Sequence, residues 1–338
     1  METEVFAIAS RGSRDERGRI DLRKGFLRLD ADRISLQAGR QVDIWGRADR
    51  LNPTDNLSPR DFTTLSTEDA DQRLGLSTVR ADLTLSDALR LSAYWIPEFR
   101  PNELLLRPPE DLTDDRRNWD AKQFAAKLDN SGGRIDWSLS YYEGRDRVYD
   151  LALQDDALAV RYNRMRVYGA DIATSLGVFG LRAEAAYFDT QFNAAESPLV
   201  RRPEFWMVAG ADRSFGGDAY INVQASFRRV FDFDEPVPGE LSPFRARIDT
   251  LRFQQKQTQV GFTLNMRRSW DDKRWTAEIM TLHYFNPDQG LVRAELRHPL
   301  SPNITLHGRA QKFYGEAGSY FQRISPASSI SFEIRAAY

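Results

Sequence analysis

Apolar and polar residues alternate along many short segments of the chain. Near the C-terminus, Ile330, Phe332 and Ile334 fall on one face of an extended strand, and Glu333 and Arg335 fall on the other. A period of two is typical of a β-strand with two different faces. The same period recurs in segments 79–85, 89–95, 135–142, 181–187, 219–227, 260–266, 292–296 and 304–310. Helical periodicity is nearly missing from the sequence, so the pattern predicts an all-β fold.

The connections between these segments alternate in length. Short connections rich in turn-forming residues lie at 31–32, 86–87, 130–133, 175–178, 214–218, 270–273 and 301–303. Longer polar stretches lie between them, at 47–74, 98–118, 144–156, 191–201, 231–249, 285–289 and 316–327. An even number of strands, joined by tight turns at one end and long loops at the other, is typical of bacterial outer-membrane barrels. The sequence therefore predicts one domain over residues 1–338, a transmembrane antiparallel up-and-down β-barrel of about 16 strands with both termini at the short-turn end.

A soluble β-sandwich or propeller would also contain short strands at regular spacing. Large aromatic residues favour the membrane barrel, because Trp95, Trp137, Tyr187 and Phe227 lie toward the predicted strand ends, as the aromatic girdles of such barrels do. The C-terminal strand ends on the aromatic Tyr338, a feature that the barrel-assembly machinery typically recognises. We therefore expect a location in the bacterial outer membrane, contact with outer-membrane lipid, and that machinery as a partner.

Composition narrows the function classes. Charged residues make up 28% of the chain, yet the net charge is only -2, which argues against nucleic-acid binding. The cations are 41 Arg and 6 Lys, so nearly all are planar guanidinium groups that suit structural or channel-lining roles. No apolar run is long enough for a transmembrane helix. The start of the chain lacks the pattern of a secretory signal, so we expect the mature form of an exported protein.

One block of the sequence has a recognisable pattern. Residues 25–75 contain Gly39-Arg40-Gln41, Trp45-Gly46, Asn52-Pro53-Thr54-Asp55 and Pro59-Arg60-Asp61. In these motifs the chain resembles a proteobacterial family of outer-membrane, porin-like β-barrels whose function is uncharacterised. The resemblance implies a porin or an exporter, and a possible periplasmic partner belonging to an envelope transporter of lipids or other hydrophobic molecules.

Charged residues on the inward face of the predicted strands are candidates to line a pore. A charge on the lipid-facing side would cost about 2–4 kcal/mol for Arg or Lys at the bilayer midplane, so these residues should point into the lumen. Mixed Arg and carboxylate walls either select polar solutes or simply form cross-strand ion pairs. The candidates are Arg80, Asp82, Arg90, Arg182, Glu184, Arg293, Glu295, Arg297, Glu333 and Arg335.

The 47–74 connection is the candidate constriction loop. A 16-stranded barrel leaves an aqueous channel unless something fills it, and this loop contributes Asp55, Arg60 and Asp61 as further candidates. The alternative is a solvated extracellular cap. Its acidic run at 68–71 is either a cation site or a solvated surface, and the sequence favours the solvated surface.

These features of the sequence support two functions. The first is passive passage of small polar or charged solutes through an Arg- and carboxylate-lined lumen. The second is a plugged, non-conducting component of an envelope lipid or hydrophobic-compound trafficking or export system. Histidines at metal-ligand spacing, a nucleophile elbow and a phosphate-binding loop are all missing from the sequence, so we expect no enzyme activity, no cofactor and no metal.

Overall fold

A computed structural model describes residues 2–8, 19–63, 72–109, 112–114, 122–154, 157–190, 199–235, 239 and 241–336, with the backbone alone at 2–8, 19–21, 113–114 and 154. These residues form 19 strands, two α-helices and one 3-10 turn. The strands are β1 Glu2–Ile8, β2 Arg19–Ala31, β3 Ile34–Gln41, β4 Leu76–Thr84, β5 Leu89–Ile96, β6 Thr113–Asp114, β7 Gln123–Asn130, β8 Ile135–Arg145, β9 Asp150–Gln154, β10 Ala157–Arg161, β11 Arg164–Leu176, β12 Phe179–Thr190, β13 Glu204–Phe215, β14 Ala219–Val230, β15 Thr258–Trp270, β16 Trp275–Phe285, β17 Asp288–Ser301, β18 Ile304–Gly315 and β19 Ser329–Ala336. The helices are α1 Ser242–Arg252 and α2 Tyr320–Arg323, and the 3-10 turn is Ser325–Ala327.

Sixteen of the described strands form one antiparallel sheet in which each strand pairs with its neighbour along the chain. The short strands β6, β9 and β10 form a separate sheet within the long connections. This confirms the prediction of an antiparallel up-and-down barrel of about 16 strands. The fold follows from the alternating pattern, because pairing neighbouring segments in register keeps every apolar residue on the same face.

The predicted tight turns all join paired strands, and their bounds lie within two residues of those predicted. One predicted longer connection is wrong: β16 and β17 remain paired up to Phe285 and Asp288, so Asn286 and Pro287 alone connect them. The loop predicted at 47–74 is longer than expected, since β3 ends at Gln41 and β4 begins at Leu76.

The outer face of the sheet is apolar. On β19, Ile330 is 75% exposed and Phe332 is 86% exposed, and outward residues such as Leu29 on β2 and Val223 on β14 are exposed in the same way. Exposed apolar side chains on every second residue match a surface that contacts hydrocarbon. Within the described parts of the chain, neither α-helix is long and apolar enough to cross a membrane.

The long connections pack together at their end of the barrel and form a cap with its own apolar core. Helix α1 contributes Ile248 and Leu251, which lie with Tyr149, Leu151 and Val160 of the 146–163 connection in one buried cluster. The two-residue alternation of the sequence could not predict this cap. Its core is formed by residues from separate loops, which pack together only in the folded chain.

Candidate functional site

The described part of the connection between β3 and β4, residues 42–63 and 72–75, lies inside the barrel, and we call it the interior loop. Trp45 and Leu57 of this loop are buried in a cluster with Ile96 and Tyr142 on the inner wall. The Trp45 ring stands edge-on to Tyr94, with the ring centroids 5.7 Å apart. Burying two large side chains of this kind contributes about 1.5–3 kcal/mol each. The loop is therefore packed against the half of the wall that β4 to β13 form.

One carboxylate on β12 binds the interior loop at the point where the loop crosses the lumen. Glu184 is 1% exposed, and one of its oxygens accepts hydrogen bonds from the backbone N–H groups of Arg47 and Ala48, both at 3.1 Å. Its other oxygen accepts from the backbone N–H and the hydroxyl of Thr54, both at 2.7 Å. Gly46 makes this approach possible, since a side chain there would collide with the carboxylate. Hydrogen bonds to a charged acceptor are about twice as strong as neutral ones.

Ion pairs tie the same loop segment to strands on both sides of the lumen. Arg47 pairs with Asp129 of β7 at 2.8 Å and with Asp171 of β11. Arg50 pairs with Glu278 of β16. The backbone N–H of Asp49 donates to the side-chain oxygen of Gln224 on β14 at 3.0 Å. Because these strands face one another across the barrel, the loop divides the lumen.

The loop residues that were predicted to constrict the pore make contacts within the loop and stabilise its conformation. Asp55 has a fully buried carboxylate, which accepts from the Trp45 backbone N–H at 3.1 Å and pairs with Arg60 at 2.6 Å and with Arg73. Asp61 is buried and accepts from the backbone N–H of Thr63 at 2.9 Å. A role for these side chains in conduction remains a prediction. The acidic run at 68–71 lies outside the described residues.

Several of the predicted wall residues form ion pairs on the inward face. Arg80 contacts Asp82 on its own strand and Asp43 of the interior loop, at 2.9 and 2.8 Å. Arg182 lies 3.3 Å from Asp212, and Arg335 lies 2.8 Å from Glu333. Arg90 is exposed at the start of β5, next to a short turn. These residues lie at the short-turn half of the wall or beneath the loop.

A second group of predicted residues surrounds an open space. A cavity of about 840 Å³ lies between the interior loop and the inner faces of β16 to β18. Arg293, Glu295 and Arg297 line it. The structure also brings Glu278 and Arg309 to this wall, and Arg309 lies 3.4 Å from Glu295. Both residues fall on the inward face in the alternating pattern of their strands, so the sequence could have placed them at this wall. No sequence pattern indicated that Arg50 of the loop reaches the same wall.

The end of the cavity near the long loops is apolar. Leu282, Leu291 and Phe313 point inward and join a buried cluster with Phe321 and Ile324 of the 316–328 connection. The predicted pattern of charged inward positions did not anticipate this, because inward apolar residues at strand ends look like outward ones until the strand register is known.

A buried ion network fixes the cap above the cavity. Arg252 of α1 contacts Asp146 at 2.7 Å and Asp150 at 2.8 Å, and Arg201 contacts Asp146 at 2.8 Å. Burial alone would raise the pKa of Asp146, but the guanidinium groups of Arg252 and Arg201 outweigh it and lower the pKa to about 2. Asp146 therefore stays ionised at neutral pH.

An apolar outer face, an antiparallel sheet of neighbouring strands and a loop folded into the lumen define the class: this is an outer-membrane β-barrel with the fold of porin-type channels. Solved structures agree on the fold. OccD3 of Pseudomonas aeruginosa is 10% identical, with a TM-score of 0.52 over 94% of this chain and 76% of that chain. OccK5 of the same organism is 11% identical, with a TM-score of 0.52 over 96% and 83%. OccK10 is 12% identical, with a TM-score of 0.51 over 98% and 85%.

The sequence comparison identifies the family. Residues 18–291 match the model of the protein family of unknown function DUF1302, and the chain belongs to this family. The matched region includes the interior loop and the strands from β2 to β16. A search of curated proteins finds no match to the chain. The fold and the apolar exterior place the protein in the bacterial outer membrane.

Proposed function

We propose that the protein is a passive outer-membrane channel for small polar or charged solutes. The observation that carries the proposal is the cavity between the interior loop and the wall of β16 to β18, which is lined by both Arg and carboxylate side chains. Charged groups on the two sides of a narrow aqueous space create a field that orients and selects solutes. In this proposal, solutes move down their gradient past Arg293, Glu295 and Arg297.

The interior loop is the constriction in this channel. Its contacts with Glu184, Asp129 and Asp171 anchor it to one half of the wall, and Arg50 reaches Glu278 on the other, so the passage is narrowed to the cavity beside β16 to β18. A 16-stranded barrel without such a loop would leave a wide aqueous pore. The loop therefore sets the size limit, and the charged wall opposite sets the preference for charge.

Single-channel recording in planar bilayers tests this function. Wild-type protein should give small, discrete conductance steps. Replacing residues 47–54 with a short Gly-Ser linker should raise the conductance several-fold, because this segment crosses the lumen. The matched control replaces the exposed turn 271–274, which does not line the cavity and should leave the steps unchanged. A wild-type protein that conducts no ions, together with a linker variant that does, would reject the open channel.

A plugged, non-conducting barrel in an envelope trafficking system is the second candidate. One observation favours it: the cap packs over the long-loop end, with Tyr149 and Ile248 in its core and Arg252 in its ion network. In that case the short turns at the opposite end would dock a periplasmic partner of an envelope transporter. The barrel-assembly machinery, acting on β19, and outer-membrane lipid are partners in either case. If neither the wild-type protein nor the variant with the Gly-Ser linker gave an ion current in bilayers, this candidate would be favoured.

A further inference from the structure

The inner faces of β16, β17 and β18 form the part of the cavity wall with the sharpest change in polarity. Strand pairing places Leu282, Leu291 and Phe313 in one row across the three strands. Each of the three side chains is at least nine-tenths buried, and Phe321 of α2 packs on them from the cap. The part of this row that stays exposed lines the end of the cavity near the long loops.

Arg293 lies in the next row toward the short turns, between Met280 and Gln311. Two residues along a strand advance by about 6.6 Å, so the guanidinium row lies one such step from the apolar row. Both the apolar row and Arg293 line the same cavity. A ligand of modest length can therefore contact the two surfaces at once.

The two carboxylates in the following row, Glu278 and Glu295, lie close to further cations. Glu278 pairs with Arg50 of the interior loop, and Glu295 lies 3.4 Å from Arg309. The four cations here, with Arg293 and Arg297 included, outnumber these two carboxylates. The positive excess lies next to the apolar row.

The charge of the whole cavity has the same sign. Among the described residues that line it, ten are Arg and six are Asp or Glu. The chain as a whole carries a net charge of -2. The fold has therefore gathered cations toward the lumen, where low-dielectric walls focus their field and attract anions.

We infer that the cavity binds amphipathic monoanions, with a carboxylate head at Arg293 and an apolar body against Leu282, Leu291 and Phe313. A guanidinium group matches a carboxylate with two parallel hydrogen bonds. The apolar row then removes the rest of the molecule from water. This inference names the solute class of the proposed channel and rests on that function for transport, although binding itself does not require conduction.

Two measurements with octanoate as the probe test the inference. The first is saturation-transfer NMR on the protein in lipid nanodiscs, which reports binding directly. The second is block of the small-ion current in planar bilayers. Acetate has the same head without the tail, and octyltrimethylammonium has the same tail with the opposite charge. Octanoate should half-saturate the protein at a concentration at least about tenfold below either comparison compound.

Variants separate the head from the tail. Arg293→Gln should raise the half-saturating octanoate concentration about tenfold, and Arg293→Lys should raise it less because the charge is kept. Leu291→Asn should weaken octanoate binding and leave acetate unchanged. The control is Arg274→Gln, which removes the same charge from an exposed turn that does not line the cavity. Heat-modifiable migration on gels reports whether each variant folds.

The results distinguish this inference from the proposed function. Octanoate binding that depends on Arg293 in a protein without ion current supports the inference and rejects the channel. Ion current together with equal effects of octanoate, acetate and octyltrimethylammonium supports the channel and overturns the inference. Octanoate binding that is the same in Arg293→Gln and wild-type protein also overturns it.

Discussion

Gly46 lies directly over the carboxylate of Glu184, so closely that a Cβ atom at position 46 would collide with both oxygens. Its φ of +91° is a conformation that other residues rarely adopt. This approach brings the backbone N–H groups of Arg47 and Ala48 within hydrogen-bonding distance of Glu184. The glycine on the loop and the acid on β12 together determine where the interior loop crosses the lumen.

Replacing Gly46 with Ala should loosen the loop. The positive φ costs about 1 kcal/mol for a residue with a side chain, and the collision with Glu184 adds to this. Since the chain has no cysteine, Ala48→Cys provides a single thiol whose labelling rate reports the opening of the loop. Labelling should be several-fold faster with Gly46→Ala.

Gly216→Ala is the matched control for this experiment. Gly216 also has a positive φ, +56°, but a Cβ atom there would meet nothing within 4 Å. It should share the strain and leave the labelling rate unchanged. Equal acceleration by both variants would show that strain anywhere in the barrel, and not the contact with Glu184, controls the loop.

The short turns should face the periplasm. The predicted tight turns lie at one end of the barrel, and all connections at the other end except that of β16 and β17 are longer, as in outer-membrane barrels. An epitope inserted at Ser301 should be inaccessible to antibody on intact cells, whereas the same epitope at Gly318 should be labelled. Labelling of the Ser301 insertion on intact cells would reverse the orientation.

Replacing Phe332 with Arg should impair folding of the barrel. Phe332 is 86% exposed on the outer face of β19, and an Arg at the bilayer midplane costs about 2–4 kcal/mol. Ser329→Arg on the inward face of the same strand, opposite Gln311, is the control. The fraction of heat-modifiable protein after refolding into lipid should fall for Phe332→Arg alone, and an equal loss in both variants would contradict the assignment of faces.

The cap should become less stable in acid. The folded pKa of Asp146, about 2, is below the ordinary value of 3.8, so the contribution of its charge is complete above about pH 4. That contribution is lost as the pH falls through 2. Hydrogen-exchange protection of the α1 amides should therefore fall in wild-type protein between pH 4 and 2.

Removing the central cation should change this dependence. Arg252→Met leaves Asp146 and Asp150 without the guanidinium that joins them, and losing one partner of a buried ion pair costs about 3–5 kcal/mol. Protection of α1 should be low at neutral pH and should recover as acid protonates the carboxylates. The exposed Arg274→Met is the control, and the same pH trend in Arg252→Met and wild-type protein would contradict a role for the network.

Local pattern predicted much of the barrel. The alternation at 330–335 identified the two faces of β19, and the turn residues at 301–303 identified the boundary between β17 and β18. It also placed Arg80 and Glu184 on the inward face, where both contact the interior loop. These predictions depend on the strand period and on turn chemistry, which act between residues close in the chain.

The number of barrel strands, their two faces and the class of membrane protein follow from the two-residue period, because it records which side of each strand meets lipid. The use of the interior follows from contacts between distant parts of the chain. Arg50 and Glu278 meet across 228 positions of chain, and the buried carboxylate of Asp55 pairs with Arg60 and Arg73. Such contacts depend on the path of a long loop through the lumen, and that path is fixed by the combined burial and charge of distant residues that no local pattern records.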